Sequence, residues 1–394
     1  MYSIFTAEDF KGINLQQCLS ADAYYLKRVK SEKGLRERLD MAYRNLVRSD
    51  FTFNGIQNNK SCEYLCFRGL VRDDYRYFFN QVIQQISGEV IVVEDYHKET
   101  NSINLDLVSF VNENRHLMHL INENNAIRKL CLYLNLCSYL IVLDNLRAIN
   151  FKVLVVFADM QPVDNLLVQY FRNRDVKTVT LQHGLYVEYK DYDTVNIVNY
   201  EQQCAQYFLA WGECTGKLIK DYHPETQVVL CGKPELSIAK SYETSELESN
   251  YVLVVLDQPI FDEQNFEMID IALNYGRLKG FDVKVRFHPQ NDRSKYLCKF
   301  PGLVEGSDLG SSRLIIGHTS TLLFEAIVMG MNVMRFKTDI PCLPTPDELQ
   351  FSNLDELKVN ATGKSVSNEV SNYYIAKTKS ASFEKYKKFF DSLT

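Results

Sequence analysis

The residue types most able to do chemistry in this chain sit just after short apolar runs. Asp159 follows the run 152–157, His183 the run 176–181, and His288 the run 283–287; the quartet His318-Thr319-Ser320-Thr321 follows Leu314-Ile315-Ile316-Gly317. A histidine titrates near neutrality and can give or take a proton, and an aspartate can act as a base. A polar turn that opens a helix presents backbone N–H groups and small hydroxyls to an anion. Taken singly, Ser320 or Thr321 is an ordinary N-cap, His288 a strand-end histidine bonded to backbone, and Glu325 a solvated helix residue. Together they say more. If the strands before His288 and Thr319 are neighbours, an imidazole and a helix start converge on one anion. Thr321 and Glu325 are four residues apart and share a helix face, so Glu325 could reach a ribose diol while Thr319, Ser320 and Thr321 hold the attached phosphate.

These positions need a scaffold, and the sequence supplies a rhythm for one. Apolar runs at 89–93, 152–157, 176–181, 207–210, 228–231, 251–256, 283–287, 314–316 and 333–336 read as buried strands. Helical periodicity falls near 31–48, 70–87, within 103–148, up to about 172, and over 262–279. Residues 1–80 carry their aromatics mostly at helical spacing. Strand–turn–helix repetition predicts parallel sheets covered by helices, with ligands beyond the carboxyl ends of the strands. Glu94, Asp95, Tyr96 and His97 follow another strand and read as a solvated loop or the edge of a site. A Ser, Glu, Thr and Lys-rich stretch at 236–250 reads as a linker between two α/β domains. The expected division is 1–240, 251–378 and a helical tail, 379–394.

The totals exclude several functions. The chain has 394 residues, a net charge of −6 and a pI near 5.8, so no basic surface argues for nucleic acid. Ten cysteines include no Cys-x-x-Cys pair; Cys62 and Cys66 have helix-like spacing but no further ligand nearby, which predicts buried reduced thiols. The N-terminus lacks the pattern of a signal peptide, and the apolar segment 130–143 is shorter than a bilayer span. A cytoplasmic location is expected.

From residue 152 to 336 the chain resembles the bacterial surface-polysaccharide branch of the GT-B glycosyltransferases. The features that carry the resemblance are Gln182-His183-Gly184, the WGE and GKP turns at 211–213 and 232–234, the RFHP ending in His288-Pro289, and GHTSTLLFEAIVMGMNV at 317–333. Similar sets occur in Kdo and sialic acid transferases and in CDP-glycerol polyol-phosphate transferases. The resemblance implies two Rossmann-like domains facing a cleft, with a nucleotide-activated donor held mainly by the second. His288, Ser320 and Thr321 would contact its phosphate, and Glu325 its ribose. The His-Pro and Ser-Thr pairs resemble enzymes with CMP- or CDP-linked donors more than UDP-sugar enzymes. The resemblance further implies a metal-independent reaction with no cofactor beyond the donor, in keeping with no Asp-x-Asp motif expected at these strand ends. The acceptor would be a surface glycan or a lipid-linked precursor, and its base would be His183 or Asp159, less readily Glu94 or Asp95. Alternatives are a CDP-polyol phosphotransferase and a non-catalytic polysaccharide-binding protein. The aromatic stripe of the tail suits packing against the first domain, while Lys385, Lys387 and Lys388 allow a peripheral membrane contact as a second reading.

Overall fold

The computed structural model describes residues 10, 12–51, 53, 61–69, 72–94, 97–190, 192–236, 250–306, 308–361 and 366–393. Among these residues fourteen strands run in order: β1 (Ser49–Phe51), β2 (Tyr64–Arg68), β3 (Val90–Glu94), β4 (His97–Glu99), β5 (Val153–Val156), β6 (Lys177–Leu181), β7 (Tyr207–Ala210), β8 (Gln227–Leu230), β9 (Tyr251–Val255), β10 (Asp282–Arg286), β11 (Val304–Glu305), β12 (Leu314–Gly317), β13 (Val333–Phe336) and β14 (Gln350–Phe351). Apart from an antiparallel β1–β4 ribbon they form two six-stranded sheets, ordered β3-β2-β5-β6-β7-β8 and β11-β10-β9-β12-β13-β14. Every pairing within the two large sheets is parallel. The molecule is α/β, with two separate parallel sheets and helices in the crossovers.

Each sheet has a point where the chain reverses its direction of winding, between β2 and β5 in the first and between β9 and β12 in the second. Crossover loops leave in opposite directions there and open a crevice at the strand ends. Val153, Leu154, Val155 and Val156 are all fully buried, as are Val252, Leu253 and Val254. Branched apolar side chains on both faces are what a strand sandwiched between helix layers requires.

The strand β2 lies between the helices expected near 31–48 and 70–87, in a stretch whose aromatics read mostly at helical spacing and where no strand is expected. Tyr64, Leu65, Cys66 and Phe67 are all buried, since β2 is central in its sheet, so the segment has no alternation to betray it. For the same reason the helix-like spacing of Cys62 and Cys66 misleads: Cys66 is a strand residue and Cys62 precedes the strand. The cysteines are free thiols; seven are buried and Cys298 is exposed. The apolar segment around 130–143 belongs to a longer helix, Ala126–Leu146, whose 21 residues are long and apolar enough to cross a membrane. In the fold it packs against the Glu32–Val47 helix and buries Leu132, Leu136, Val142 and Leu146 in the first domain's core. Most of the expected linker, 237–249, and Asp95 lie outside the described residues.

The tail helix Lys379–Asp391 lies on the first sheet. Tyr64 Oη donates to the Phe390 carbonyl at 2.8 Å, Ser382 Oγ to Cys231 at 2.8 Å and Tyr386 Oη to Gly232 at 3.0 Å. The segment leading into it explains the glycines of the WGE and GKP turns. A Cβ on Gly212 would meet the Tyr374 carbonyl at 2.3 Å, and one on Gly232, whose φ is +81°, would meet the Lys377 carbonyl at 2.1 Å. Both turns are therefore seats for the returning chain.

Candidate nucleotide site between the two sheets

The second domain's part of the site is built around Asp257, which follows β9. Asn265 fixes the Asp257 backbone, accepting from its N–H at 3.0 Å and donating to its carbonyl at 3.1 Å. The buried carboxylate then accepts from the Thr319 N–H at 3.0 Å and the Thr319 hydroxyl at 2.8 Å. Burial pushes its pKa up to about 6, against the pull of those two bonds. Asp257 thus ties β9 to the turn after β12. Thr319 is the residue being tied, so its hydroxyl faces inward rather than toward a ligand. Gly317 has a packing role as well: a Cβ there would sit 3.1 Å from Leu323 of the following helix. His318 is buried against Phe261 and Phe336, with Nε2 2.8 Å from Thr338 Oγ1, and burial lowers its pKa to about 4.

The helix Thr321–Val328 starts from this turn. Ser320 is its N-cap in extended backbone, and the Ser320 side chain makes no capping bond. The Leu323 N–H turns back to the Ser320 carbonyl at 3.0 Å, so what the turn can offer an anion is the Ser320 hydroxyl with the Thr321 and Leu322 N–H groups. The Thr321 hydroxyl accepts from the Leu185 N–H at 3.3 Å, bringing the loop after His183 against the helix start. Glu325 is fully buried and forms an ion pair with Lys233 of the GKP turn, whose ammonium also lies 4.6 Å from the Trp211 ring. Arg286, at the end of β10, lies beside the same carboxylate, and burial lowers its pKa while Glu325 opposes the shift. The ribose role expected for Glu325 is thus met by a different partner: a lysine from the first domain already occupies that carboxylate.

His288 sits two residues beyond β10, half-buried. Its backbone N–H donates to Asn291 Oδ1 at 2.7 Å, and its Nδ1 accepts from the Gln290 N–H at 3.2 Å. An Nδ1 that accepts places the proton on Nε2, so the ring is a neutral hydrogen-bond donor. Burial, then the charge of Arg72, keep the pKa below the usual histidine value. β9 lies between β10 and β12, so the strands before His288 and Thr319 are not neighbours as expected; Asn291 of the His288 loop donates to the Asp257 carbonyl at 3.1 Å and so ties that loop to the residue that also holds Thr319.

On the first domain, His183 lies in an aromatic box of Tyr75, Phe157 and Tyr186, with ring centroids at 6.0, 6.3 and 5.2 Å. Tyr186 Oη is 2.8 Å from its Nδ1. Burial, followed by Arg72, pushes its pKa down to about 4, so the near-neutral value expected of it does not hold; the ring is neutral at pH 7. Asp159 is placed differently. It is fully buried, and its Oδ2 accepts from the Cys204 and Ala205 N–H groups at 2.8 and 2.7 Å. This carboxylate clamps the loop before β7, a structural task that keeps it from an acceptor hydroxyl. Glu94 is paired with the buried Arg68 and with Arg76 at 3.7 Å.

Sequence reasoning missed Asp257, Arg72, Lys233 and Arg286. Asp257 directly follows an apolar run, the same signal that singled out Asp159. Lys233 and Arg286 lie inside the GKP and RFHP strings themselves. The sequence does hold an Asp-x-Asp, Asp191-Tyr192-Asp193, contrary to expectation. Its described members turn different ways: Tyr192 packs on Phe261 at 5.7 Å, and the largely exposed Asp193 faces Arg28 at 3.7 Å. Among the described residues no three His, Cys, Asp or Glu side chains group as a metal site would.

The sequence matches no protein-family model and no curated protein. Solved structures match by shape. UDP-GlcNAc 2-epimerase from Methanocaldococcus jannaschii, solved with UDP-GlcNAc and UDP, aligns with a TM-score of 0.54 at 12% identity, covering 84% of this chain and 99% of that one. The Neisseria meningitidis UDP-GlcNAc 2-epimerase bound to UDP-GlcNAc gives 0.50 at 11% identity, with 84% and 99% covered. The Rickettsia bellii enzyme of the same name gives 0.50 at 11%, with 84% and 95% covered. These likenesses establish the two-domain GT-B architecture across most of the chain.

Proposed function

We propose that this chain is a glycosyltransferase that takes a sugar from a nucleotide-activated donor, CMP-linked by preference, and adds it to a bacterial surface glycan or its lipid-linked precursor. Kdo and sialic acid are the sugars the motif pattern favours. The observation that carries the reading is the contact of the His183 loop of one domain with Thr321 at the uncapped helix start of the other; the Nε2–H donor of His288 stands on a loop that Asn291 ties to Asp257, which also holds Thr319. A phosphate oxygen gains negative charge as the glycosidic bond breaks, and a fixed N–H donor with a helix dipole stabilises that charge most where it develops. The acceptor hydroxyl attacks the anomeric carbon, the bond to the donor oxygen breaks, and the hydroxyl proton passes to a base. His183 takes that role in this reading, being neutral and on the facing domain. The site needs no cofactor in this account, and the donor is a substrate. A cytoplasmic location follows from the availability of nucleotide donors.

A nucleotide-sugar epimerase is the second reading, favoured by the shape likeness to three UDP-GlcNAc 2-epimerases. Product analysis separates the two. The protein is incubated with CMP-Kdo, CMP-sialic acid, CDP-glycerol and UDP-GlcNAc, each with and without a glycan acceptor mixture. Acceptor-dependent transfer of the sugar from CMP-Kdo or CMP-sialic acid, with release of CMP, supports the proposal. Conversion of UDP-GlcNAc to an isomer without acceptor would replace it with the epimerase reading, and transfer of glycerol phosphate with release of CMP would replace it with the polyol-phosphate reading.

A further inference from the structure

Arg72 lies on the first domain's rim, immediately before the Asp73–Ile83 helix and four residues beyond β2. Its guanidinium is 4.1 Å from the Tyr75 ring centroid and donates to Tyr75 Oη at 3.0 Å. Nε and Nη2 donate to the two oxygens of Asp74 at 3.1 and 2.6 Å. A guanidinium has more N–H donors than these three bonds use. Tyr75 meets His183 edge-on at 6.0 Å, and two residues past His183 the Leu185 N–H reaches Thr321 at the helix start. An unbroken series of contacts therefore runs from Arg72 across the interface to the anion-holding turn. The charge of Arg72 also bears on both His183 and His288, one from each domain.

We propose that Arg72 binds the phosphate of the nucleotide donor from the side opposite the Thr321–Val328 helix, so that one phosphate bridges the two domains. This assignment rests on the donor reading above and adds a first-domain contact to it. Asp74 and Arg72 are both more than half exposed in their side chains, and such an ion pair contributes little to stability. A phosphate offers the guanidinium an anionic, fork-matching partner with two accepting oxygens in place of that carboxylate or beside it. The Tyr75 ring, which also packs on Phe157 at 4.9 Å, gives the guanidinium a fixed platform.

The test is a calorimetric titration of the wild type, Arg72→Ala and Arg72→Lys with CMP and UDP and with cytidine and uridine, alongside each variant's Tm without ligand. Arg72 is exposed and packs no core, so the ligand-free Tm should stay at the wild-type value. Arg72→Ala is expected to weaken the preferred nucleotide at least ~10-fold and to leave its nucleoside unaffected, with Arg72→Lys in between. Unchanged nucleotide affinity in Arg72→Ala would overturn the assignment and leave Arg72 a surface ion pair of Asp74. Absence of nucleotide binding by the wild type would instead overturn the donor reading on which the assignment stands.

Discussion

His183 and Asp159 end neighbouring strands, and one side chain faces an aromatic box at the interface while the other holds a loop. Their substitution should separate them. Removing the Asp159 carboxylate leaves two buried N–H groups unsatisfied, and Asp159→Ala is expected to lose roughly 1–3 kcal/mol in urea unfolding. Asp159→Asn should keep turnover per folded molecule within a few-fold of the wild type. A collapse of turnover with unfolding free energy intact would make Asp159 the base after all. The buried histidines also set a pH dependence. His183 and His318 have folded values of about 4, below the ordinary 6.5, so between those values the unfolded chain binds more protons. Stability is therefore fully retained above pH 6.5 and falls as pH drops toward 4, by roughly 3 kcal/mol for each ring. Asp257 and Asp22, both raised to about 6, and Asp159, also raised by burial, work in the opposite sense in acid and offset that loss. The histidine contribution is therefore read by difference: the urea midpoint of the wild type should drop relative to that of His318→Asn as pH falls from 6.5 toward 4, and a constant difference would contradict it.

The element that organises the site is the turn from β12 into the Thr321–Val328 helix, and two of its features depend on residues distant in sequence. Asp257 anchors Thr319, and Lys233 pairs with Glu325 across the domain interface. Breaking such a buried pair by removing one partner is expensive, so Glu325→Ala is expected to cost roughly 3–5 kcal/mol. A Glu325→Ala protein as stable as the wild type would show that the pair is not held in solution. The strand–turn–helix itself was legible in the sequence because its signals are local: an apolar run, a glycine, small hydroxyls, then helical periodicity. His288 was legible for the same reason. The engagement of Thr319 and Glu325 was not, because nothing within a few residues of either names Asp257 or Lys233. β2 was missed for another reason: a strand buried on both faces with two aromatics and a cysteine carries no period of two.

At the scale of the molecule, two parallel sheets face each other across an interface that the chain crosses and then crosses back. The hydrophobic core runs through that interface, with Phe157 and Trp211 of the first domain and Leu253 and Phe324 of the second in one contiguous cluster with Tyr374 and Tyr386. The tail helix covers Tyr64 and Phe78 through Phe390 and Tyr386. A chain ending at residue 378 is expected to unfold at lower denaturant and to expose this apolar face, which dye binding would report. A truncated chain with wild-type stability would deny the tail its part in the first domain. The two-domain layout was legible from the strand rhythm, whereas the closeness of the two walls was not, since side-chain contacts across 90 to 140 residues leave no periodic trace. The central claim is that the crevice between the sheets binds a nucleotide through its phosphate, and thermal shift with CMP, CDP, UDP and GDP tests it most directly. A ligand at ~100 times its Kd adds roughly 2.7 kcal/mol to stability, enough to move Tm by several degrees. The account predicts a shift with a cytidine nucleotide in the wild type that His288→Ala strongly reduces; no shift with any of the four nucleotides would contradict it.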